Sequence, residues 1–233
     1  MRKSRQMRYL GSALLTILLL SASSAQDRLQ QTLAKMDAVA ASFRGLTADV
    51  RKMSYIFLIK ETDEEDGTLV VKRSKPKDLR ALFEIKGANA RMMAYSGHTA
   101  QDYVPAANVV QIWDVDKKWG SLANQYLLLG FGSSSKELQD SYTIALGGPE
   151  AIAGQPATRL ELVPRKTDTG MGLIKAELWI SDQTGVALQQ KFYERGGDYQ
   201  MATYANMKIN PDIPDSAVEL NLPKNVKREY PQK

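Results

Sequence analysis

Apolar residues along this chain follow two periods, one typical of a helix and one typical of strands. Near the start, six apolar side chains recur at helical spacing on one stripe: Leu29, Leu33, Met36, Val39, Ala40 and Phe43. This pattern predicts a helix over 27–45, with Asp27 able to cap its start and Gly45 placed where it would stop. A stripe of this width favours a helix packed against a sheet.

From residue 46 onward the apolar positions alternate, which indicates strands. The first strand is predicted over 47–60, followed by a polar turn over 61–67 that closes on Asp66-Gly67, a dipeptide favoured in tight hairpins. The acidic residues of this segment lack the ordered spacing of a calcium loop, so we interpret it as a solvated turn.

More strands follow, separated by turns rich in Gly, Pro and Asn. They are predicted over 68–74, 79–85, 90–95, 99–105, 108–113, 142–146, 157–163, 173–181, 185–194 and 199–209. Short antiparallel strands at this spacing predict a sandwich, a barrel or an open half-barrel. Nothing in the chain resembles a linker or a repeat, so a single domain is expected.

Two neighbouring predicted strands each carry a row of apolar residues on one face, and the first row ends in a charged residue. On the first strand the row runs through Leu69 and Val71 to Arg73, and on the next it comprises Leu79, Ala81, Phe83 and Ile85. A charge in such a place must be paired, hydrogen-bonded or hydrated. We interpret the six apolar residues as the wall of an apolar cavity and Arg73 as a latch that holds it closed. The alternative is an ion pair between Arg73 and an acid at the sheet rim, such as Glu61 or Glu84.

A helical stretch interrupts the strands over 114–141. Its apolar residues crowd together ahead of two glycines, and the last five of them form the candidate lid helix: Tyr126, Leu127, Leu128, Leu129 and Phe131. Gly130 and Gly132 lie at the exit of this stretch. A lid over the cavity and an ordinary core helix are both consistent with the pattern. A second short helix is predicted over 133–140, capped by Ser134 or Ser135.

The first 25 residues read as a secretory signal peptide, with an uncleaved membrane anchor as the alternative. Cleavage would leave 26–233 as the mature domain. A basic start is followed by a mostly apolar run over 9–20 and by Ser23-Ser24-Ala25, a small-residue cleavage site. The whole chain has 31 basic and 26 acidic residues. Removing the four basic residues of the signal leaves 27 against 26, so no nucleic-acid partner is inferred from charge.

The residue inventory argues against most catalytic and metal chemistry. The chain has no cysteine and a single histidine, His98, which leaves little room for a histidine-based metal site or a Ser-His-Asp triad. Asp114 and Asp116 lie two residues apart, but nothing marks them as a catalytic pair with one raised pKa. We therefore predict no catalytic residue, no metal and no cofactor, and a protein that is not an enzyme.

Several short motifs occur in a fixed order along the mature chain. They are Ala40-Ala41-Ser42-Phe43, Val71-Lys72-Arg73, Phe83 on the next strand, Ser96-Gly97 followed by Tyr103 and Pro105, and the segments 127–130, 179–185 and 218–226. In this order, and with the export signal, they resemble the LolA family, the periplasmic carriers of outer-membrane lipoproteins. The sequence departs from the family pattern at Ser74-Lys75, which separate Arg73 from the following proline.

The resemblance implies an α+β, mainly β fold. The expected fold is an unclosed antiparallel half-barrel of about 11 strands, with helices covering its concave apolar face. It implies that acyl chains bind in the concave face and that Arg73 donates hydrogen bonds to lid carbonyls near 127–130.

The implied partners are an acylated lipoprotein as cargo, an inner-membrane ABC-type exporter that supplies it, and an outer-membrane acceptor. The implied location is the periplasm, and a monomer suffices. A carrier of another lipid or glycolipid, a lipoprotein sensor and a purely structural β-protein remain alternatives on the same fold.

Overall fold

The computed structural model describes residues 7–75, 78–114, 128–166 and 172–231. It has a long helix, α1 (Met7–Ser42), and a short one, α2 (Ser135–Ser141), which lies between the sixth and seventh strands. The strands are β1 (Gly45–Ile56), β2 (Glu61–Lys75), β3 (Asp78–Ile85), β4 (Arg91–Ser96), β5 (Thr99–Val104), β6 (Val109–Asp114), β7 (Tyr142–Ile152), β8 (Gln155–Pro164), β9 (Leu173–Ser181), β10 (Ala187–Glu194), β11 (Tyr199–Ile209) and β12 (Lys227–Glu229).

All twelve strands form one sheet in the order β12-β6-β5-β4-β3-β2-β1-β11-β10-β9-β8-β7. Neighbouring strands are antiparallel, apart from β12, which pairs with β6 in parallel. The described sheet ends at β12 on one side and β7 on the other, and this confirms the predicted unclosed half-barrel. The twelfth strand was not expected. A 3-10 helix (Asp215–Val218) precedes it in the chain.

The core lies on the sheet face that α1 covers, which we call the inner face. Leu33, Met36 and Phe43 of α1 pack with Leu46 and Val50 of β1 in the main apolar cluster. Each fully buried side chain of this kind contributes roughly 1.5–3 kcal/mol. In the described ranges, no helix combines the length and apolarity needed to cross a membrane.

Of the two helix N-caps predicted from the sequence, one is confirmed and one is wrong. Asp27 does not cap α1, because the helix already begins at Met7. Ser134 is the N-cap of α2, and it forms a capping box with Glu137. The Asp37 carboxylate accepts hydrogen bonds from the backbone and the hydroxyl of Ser135, at 2.6 and 2.7 Å. These bonds tie α1 to α2.

The first hairpin turn lies elsewhere than the sequence predicted. The turn comprises residues 57–60, and the acidic segment 61–66 is strand, paired with β1 from Glu61 opposite Ile56 onward. Gly67 lies inside β2, where a Cβ would come within 2.3 Å of the Glu84 carbonyl oxygen. The glycine is therefore required by the close approach of β3, and the apolar residues 56–59 form the hairpin tip.

Candidate ligand cavity

A cavity of about 610 Å³ lies between the inner face of the sheet and the 128–132 turn. Its lining comes from β1 to β6, β10, β11 and Phe131 of that turn, and it is mainly apolar. The volume falls in the ~300–1,000 Å³ range of small-molecule sites. Such a space can take up an apolar chain.

Three of the six residues predicted for the cavity wall line this space. They are Leu69, Ala81 and Phe83. Val71, Leu79 and Ile85 are buried, with at most 2% of their surface exposed, but they are not part of the lining. Shared face was the only criterion available from the sequence, and it does not indicate where along a strand the sheet leaves space.

The described part of the candidate lid is a tight turn packed into the core. Leu129 and Phe131 are buried, and Leu128 is partly buried against the main cluster. The carbonyl of Leu128 accepts hydrogen bonds from the backbone N–H groups of Phe131 and Gly132, both at 2.9 Å. Tyr126 and Leu127, the other two residues of the predicted lid helix, lie outside the described residues.

Gly130 fits the turn against β10. Its φ is +79°, and its carbonyl accepts a hydrogen bond from the Ala187 N–H at 2.8 Å. A Cβ on Gly130 would lie 2.7 Å from the Cβ of Ala187. Glycine is thus required here by both backbone conformation and space.

A buried glutamine and a buried tyrosine hold the same turn from the sheet. The Gln190 amide donates a hydrogen bond to the carbonyl of Leu129, and its oxygen accepts one from the Tyr204 hydroxyl at 2.7 Å. The rings of Phe131 and Tyr204 meet edge to face with centroids 4.9 Å apart. Burial raises the pKa of Tyr204, so its phenol stays protonated and can donate.

Gln190 and Tyr204 both line the cavity, and neither was predicted from the sequence. The one available signal was a glutamine that shares a strand face with Phe192. A single polar residue on an apolar face does not reveal its partner, which here is a carbonyl 61 residues away along the chain.

Arg73 also contacts the turn. Its guanidinium donates a hydrogen bond to the Gly132 carbonyl at 3.4 Å, beyond the usual 2.7–3.2 Å range. The acids considered as partners are distant, because β2 rises ~3.3 Å per residue. Glu61 lies on the order of 40 Å away along the same strand, and Glu84 lies opposite Thr68, roughly 17 Å away along β2.

The lining of the cavity is polar at the end nearest the β1–β2 hairpin. Charged and polar side chains line it there: Lys52, Arg91, Asp102 and Gln200. Arg91 and Asp102 form an ion pair, with Nε and Oδ1 3.2 Å apart, and this hydrogen bond raises the pKa of Arg91. Lys52 pairs with Glu65 at 3.2 Å. The cavity can therefore place an apolar chain against the inner sheet and a polar group at this end.

Solved structures from several bacteria are similar to this one. An uncharacterized conserved protein from Thermus thermophilus matches with a TM-score of 0.51 at 14% identity, over 89% of this chain and 99% of that one. A LolA superfamily protein from Nitrosomonas europaea matches with a TM-score of 0.40 at 14% identity, over 82% of this chain and 97% of that one. An outer membrane lipoprotein-sorting protein domain from Vibrio parahaemolyticus matches with a TM-score of 0.44 at 12% identity, over 79% of this chain and 93% of that one.

No protein-family model matches the chain, and no curated protein matches its sequence. At these identities the structural matches concern the fold alone. The open sheet agrees with the unclosed half-barrel expected from the sequence, and the Thermus thermophilus protein shares this fold.

Proposed function

We propose that this protein is a periplasmic carrier that binds the acyl chains of lipoproteins in its cavity and moves them from the inner to the outer membrane. The observation that supports this proposal is the apolar cavity of about 610 Å³ with a charged end. The motif resemblance narrows the ligand to acylated cargo. An inner-membrane ABC-type exporter as donor and an outer-membrane acceptor are part of the same proposal.

The energetics of the cargo explain why a donor is included. A triacylated lipoprotein has on the order of 40 methylenes, and exposing them to water costs about 0.8 kcal/mol each, roughly 30 kcal/mol in all. Non-covalent affinities saturate near ~20 kcal/mol. A carrier therefore does not extract such cargo from a bilayer unaided, and an ATP-driven exporter supplies the missing free energy.

In this proposal the 128–132 turn closes the empty cavity. Arg73 and Gln190 hold it through the carbonyls of Gly132 and Leu129, and Phe131 presents its ring to the cavity. Holding the turn closed stabilises the empty state, so the same contacts lower the affinity for cargo. A modest closing free energy suits a carrier that must also release what it binds.

A carrier of another lipid is the second candidate function. The charged end of the cavity favours it, because Lys52 and Arg91 could pair with the polar headgroup of a phospholipid or glycolipid as well as with the peptide of a lipoprotein. A lipoprotein sensor would use the same cavity without a transfer step.

Native mass spectrometry of the protein purified from the envelope of its own host tests the proposal. A bound mass equal to that of an acylated peptide or lipoprotein supports the lipoprotein carrier. A bound phospholipid or glycolipid moves the function to the second candidate. A protein that carries no lipid and does not bind added acyl chains contradicts both and leaves a structural role.

A further inference from the structure

The tip of the β1–β2 hairpin exposes four consecutive large apolar residues. Ile56, Phe57, Leu58 and Ile59 expose 44%, 55%, 89% and 54% of their surface. The other large apolar residues exposed in the described ranges, Val163, Ile174 and Tyr230, are scattered. Single exposed apolar residues need no explanation, but a continuous run marks a contact with a partner or a membrane.

The tip projects past the polar end of the cavity. Lys52 of β1 lines the cavity, and Leu58 lies six residues further along the chain, on the order of 15–20 Å at ~3.3 Å per residue. Gln200, another lining residue, pairs with Ser54 only two residues before the strand ends. A surface that receives the tip therefore also faces the charged end of the cavity.

The tip is held in a defined position by the neighbouring hairpin. The backbone N–H of Phe57 donates to the Asp198 carboxylate at 2.8 Å. A Cβ on Gly197 would lie 2.8 Å from Cγ of the Phe57 ring, so glycine lets the β10–β11 turn pack against that ring. These contacts from the β10–β11 turn hold the apolar run in place at the end of the hairpin.

Tyrosines and a lysine lie directly behind the apolar run. Tyr55 stacks on Tyr199 with ring centroids 5.0 Å apart, and Tyr193 lies 6.1 Å from Tyr199. The ammonium of Lys191 is 3.8 Å from the Tyr199 ring centroid. An apolar tip followed by tyrosines and then by a cation matches the layers of a bilayer surface, where tyrosine occupies the headgroup region and lysine extends toward water.

We propose that the 56–59 tip inserts into the surface of a zwitterionic phospholipid bilayer and sets the charged end of the cavity against it. The shape of the tip favours a bilayer over a protein, because a stable protein interface buries ~800 Å² on each partner and four residues on a narrow hairpin offer much less. The membrane contact goes beyond the proposed function and does not depend on it.

The charges beside the tip select the kind of bilayer. Lys60 ends the tip turn, and Glu61, Asp63 and Glu64 follow it on β2; all four are exposed, so three carboxylates outnumber one lysine beside the tip. An anionic surface repels these carboxylates within about one Debye length. We therefore expect binding to phosphatidylcholine vesicles that weakens at low salt when phosphatidylglycerol is added.

Flotation of the protein, in the form its host exports, with phosphatidylcholine vesicles tests the proposal. Leu58→Asp should lower the bound fraction at least tenfold, because it places a charge at the apex without touching packed residues. Ile174→Asp is the matched control, since it makes the same kind of change at an exposed apolar position on β9, and it should bind as the native chain does. Equal binding by the Leu58→Asp variant, or an equal loss by the Ile174→Asp variant, overturns the proposal.

Two further outcomes would also overturn it. Binding only to vesicles that contain membrane proteins would assign the tip to a protein partner. A dimer that forms without vesicles and dissociates in the Leu58→Asp variant would assign it to a second copy of this chain. Uptake of a soluble acyl probe should be unchanged by Leu58→Asp, so a failure of the tip proposal is distinguishable from a failure of the carrier proposal.

Discussion

The two ends of the cavity are built from different interactions. At the closed end, the buried contacts that hold the 128–132 turn are neutral: Gln190 and Tyr204 form a hydrogen-bonded chain, and Phe131 meets the Tyr204 ring edge to face. Arg73 adds one long hydrogen bond, 3.4 Å, to the Gly132 carbonyl. At the charged end, ion pairs line the cavity, with Arg91 on Asp102 and Lys52 on Glu65. Neutral buried contacts resist salt and depend on packing, whereas the ion pairs, which are partly buried, weaken as salt is added. The closed end is thus held mainly by packing and neutral hydrogen bonds, and the charged end by ion pairs.

The largest expected effect is at the closed end. Gly130→Ala adds a Cβ that would meet Ala187 at 2.7 Å and strains a residue with φ +79°. Overpacking of ~1–3 kcal/mol and about 1 kcal/mol or more of backbone strain should together lower the free energy of unfolding by roughly 2–4 kcal/mol. Denaturant unfolding measures this loss of free energy.

Gly154→Ala is the matched control for that change. Gly154 has nearly the same φ, +78°, but nothing lies within 4 Å of an added Cβ. Gly154→Ala should lower the free energy of unfolding by the backbone strain alone. If both variants lose equal stability, the turn is not packed against β10 as described.

Replacing Gln190 should have the next largest effect. Gln190→Leu leaves the Leu129 carbonyl and the Tyr204 hydroxyl without their partner, which costs about 1–3 kcal/mol. A double-mutant cycle with Tyr204→Phe should show a coupling of at least about 0.5 kcal/mol that is the same at low and high salt. A coupling that disappears at high salt would contradict the neutral character of this end.

The pKa of Tyr204 predicts a loss of stability in alkali. Burial raises the pKa of this phenol in the folded state above the unfolded value of ~10. The folded chain then binds more protons than the unfolded chain above about pH 10, so stability is fully present below that pH and falls as pH rises. The Tyr204→Phe variant should show a shallower fall between about pH 10 and 11, measured by denaturant unfolding at each pH. An unchanged slope would contradict the buried, neutral phenol.

Much of the fold follows from alternation, but the first hairpin and the cavity do not. The strand pattern of β3 to β11 and the capped start of α2 could be predicted, because their periods and turn residues agree. The hairpin was misplaced because Asp66-Gly67 has the sequence of a tight turn, whereas Gly67 in fact accommodates the β3 backbone. The cavity volume and the Gln190–Tyr204 pair depend on contacts distant in sequence, which periodicity does not encode.

At the charged end a smaller and salt-dependent effect is expected. Asp102→Asn removes the partner of Arg91, whose side chain is 41% exposed, so the loss of stability should be at most about 1 kcal/mol. The loss should shrink as salt is added. A loss as large as that of Gln190→Leu would remove the distinction between the two ends.

The smallest effect on stability is expected for Arg73→Leu. Its one side-chain contact to the turn is long, 3.4 Å to the Gly132 carbonyl, so stability should change by less than about 1 kcal/mol. If the contact favours the closed, empty state, as proposed, the variant should still take up cargo but release it several-fold more slowly. Stopped-flow release of a fluorescent acyl ligand measures this, and weaker uptake than the native chain would rule out the latch.

The most direct test of the central claim is titration with a labelled, soluble acyl-chain analogue, read by anisotropy, of the native chain and two tryptophan variants. Ala202→Trp places an indole inside the cavity, since Ala202 lines it. Ala205→Trp, three residues along the same strand, adds the same group at an exposed position. If the cavity is the acyl site, Ala202→Trp weakens binding at least tenfold and Ala205→Trp leaves it within twofold of native. Equal binding by all three proteins would contradict the account.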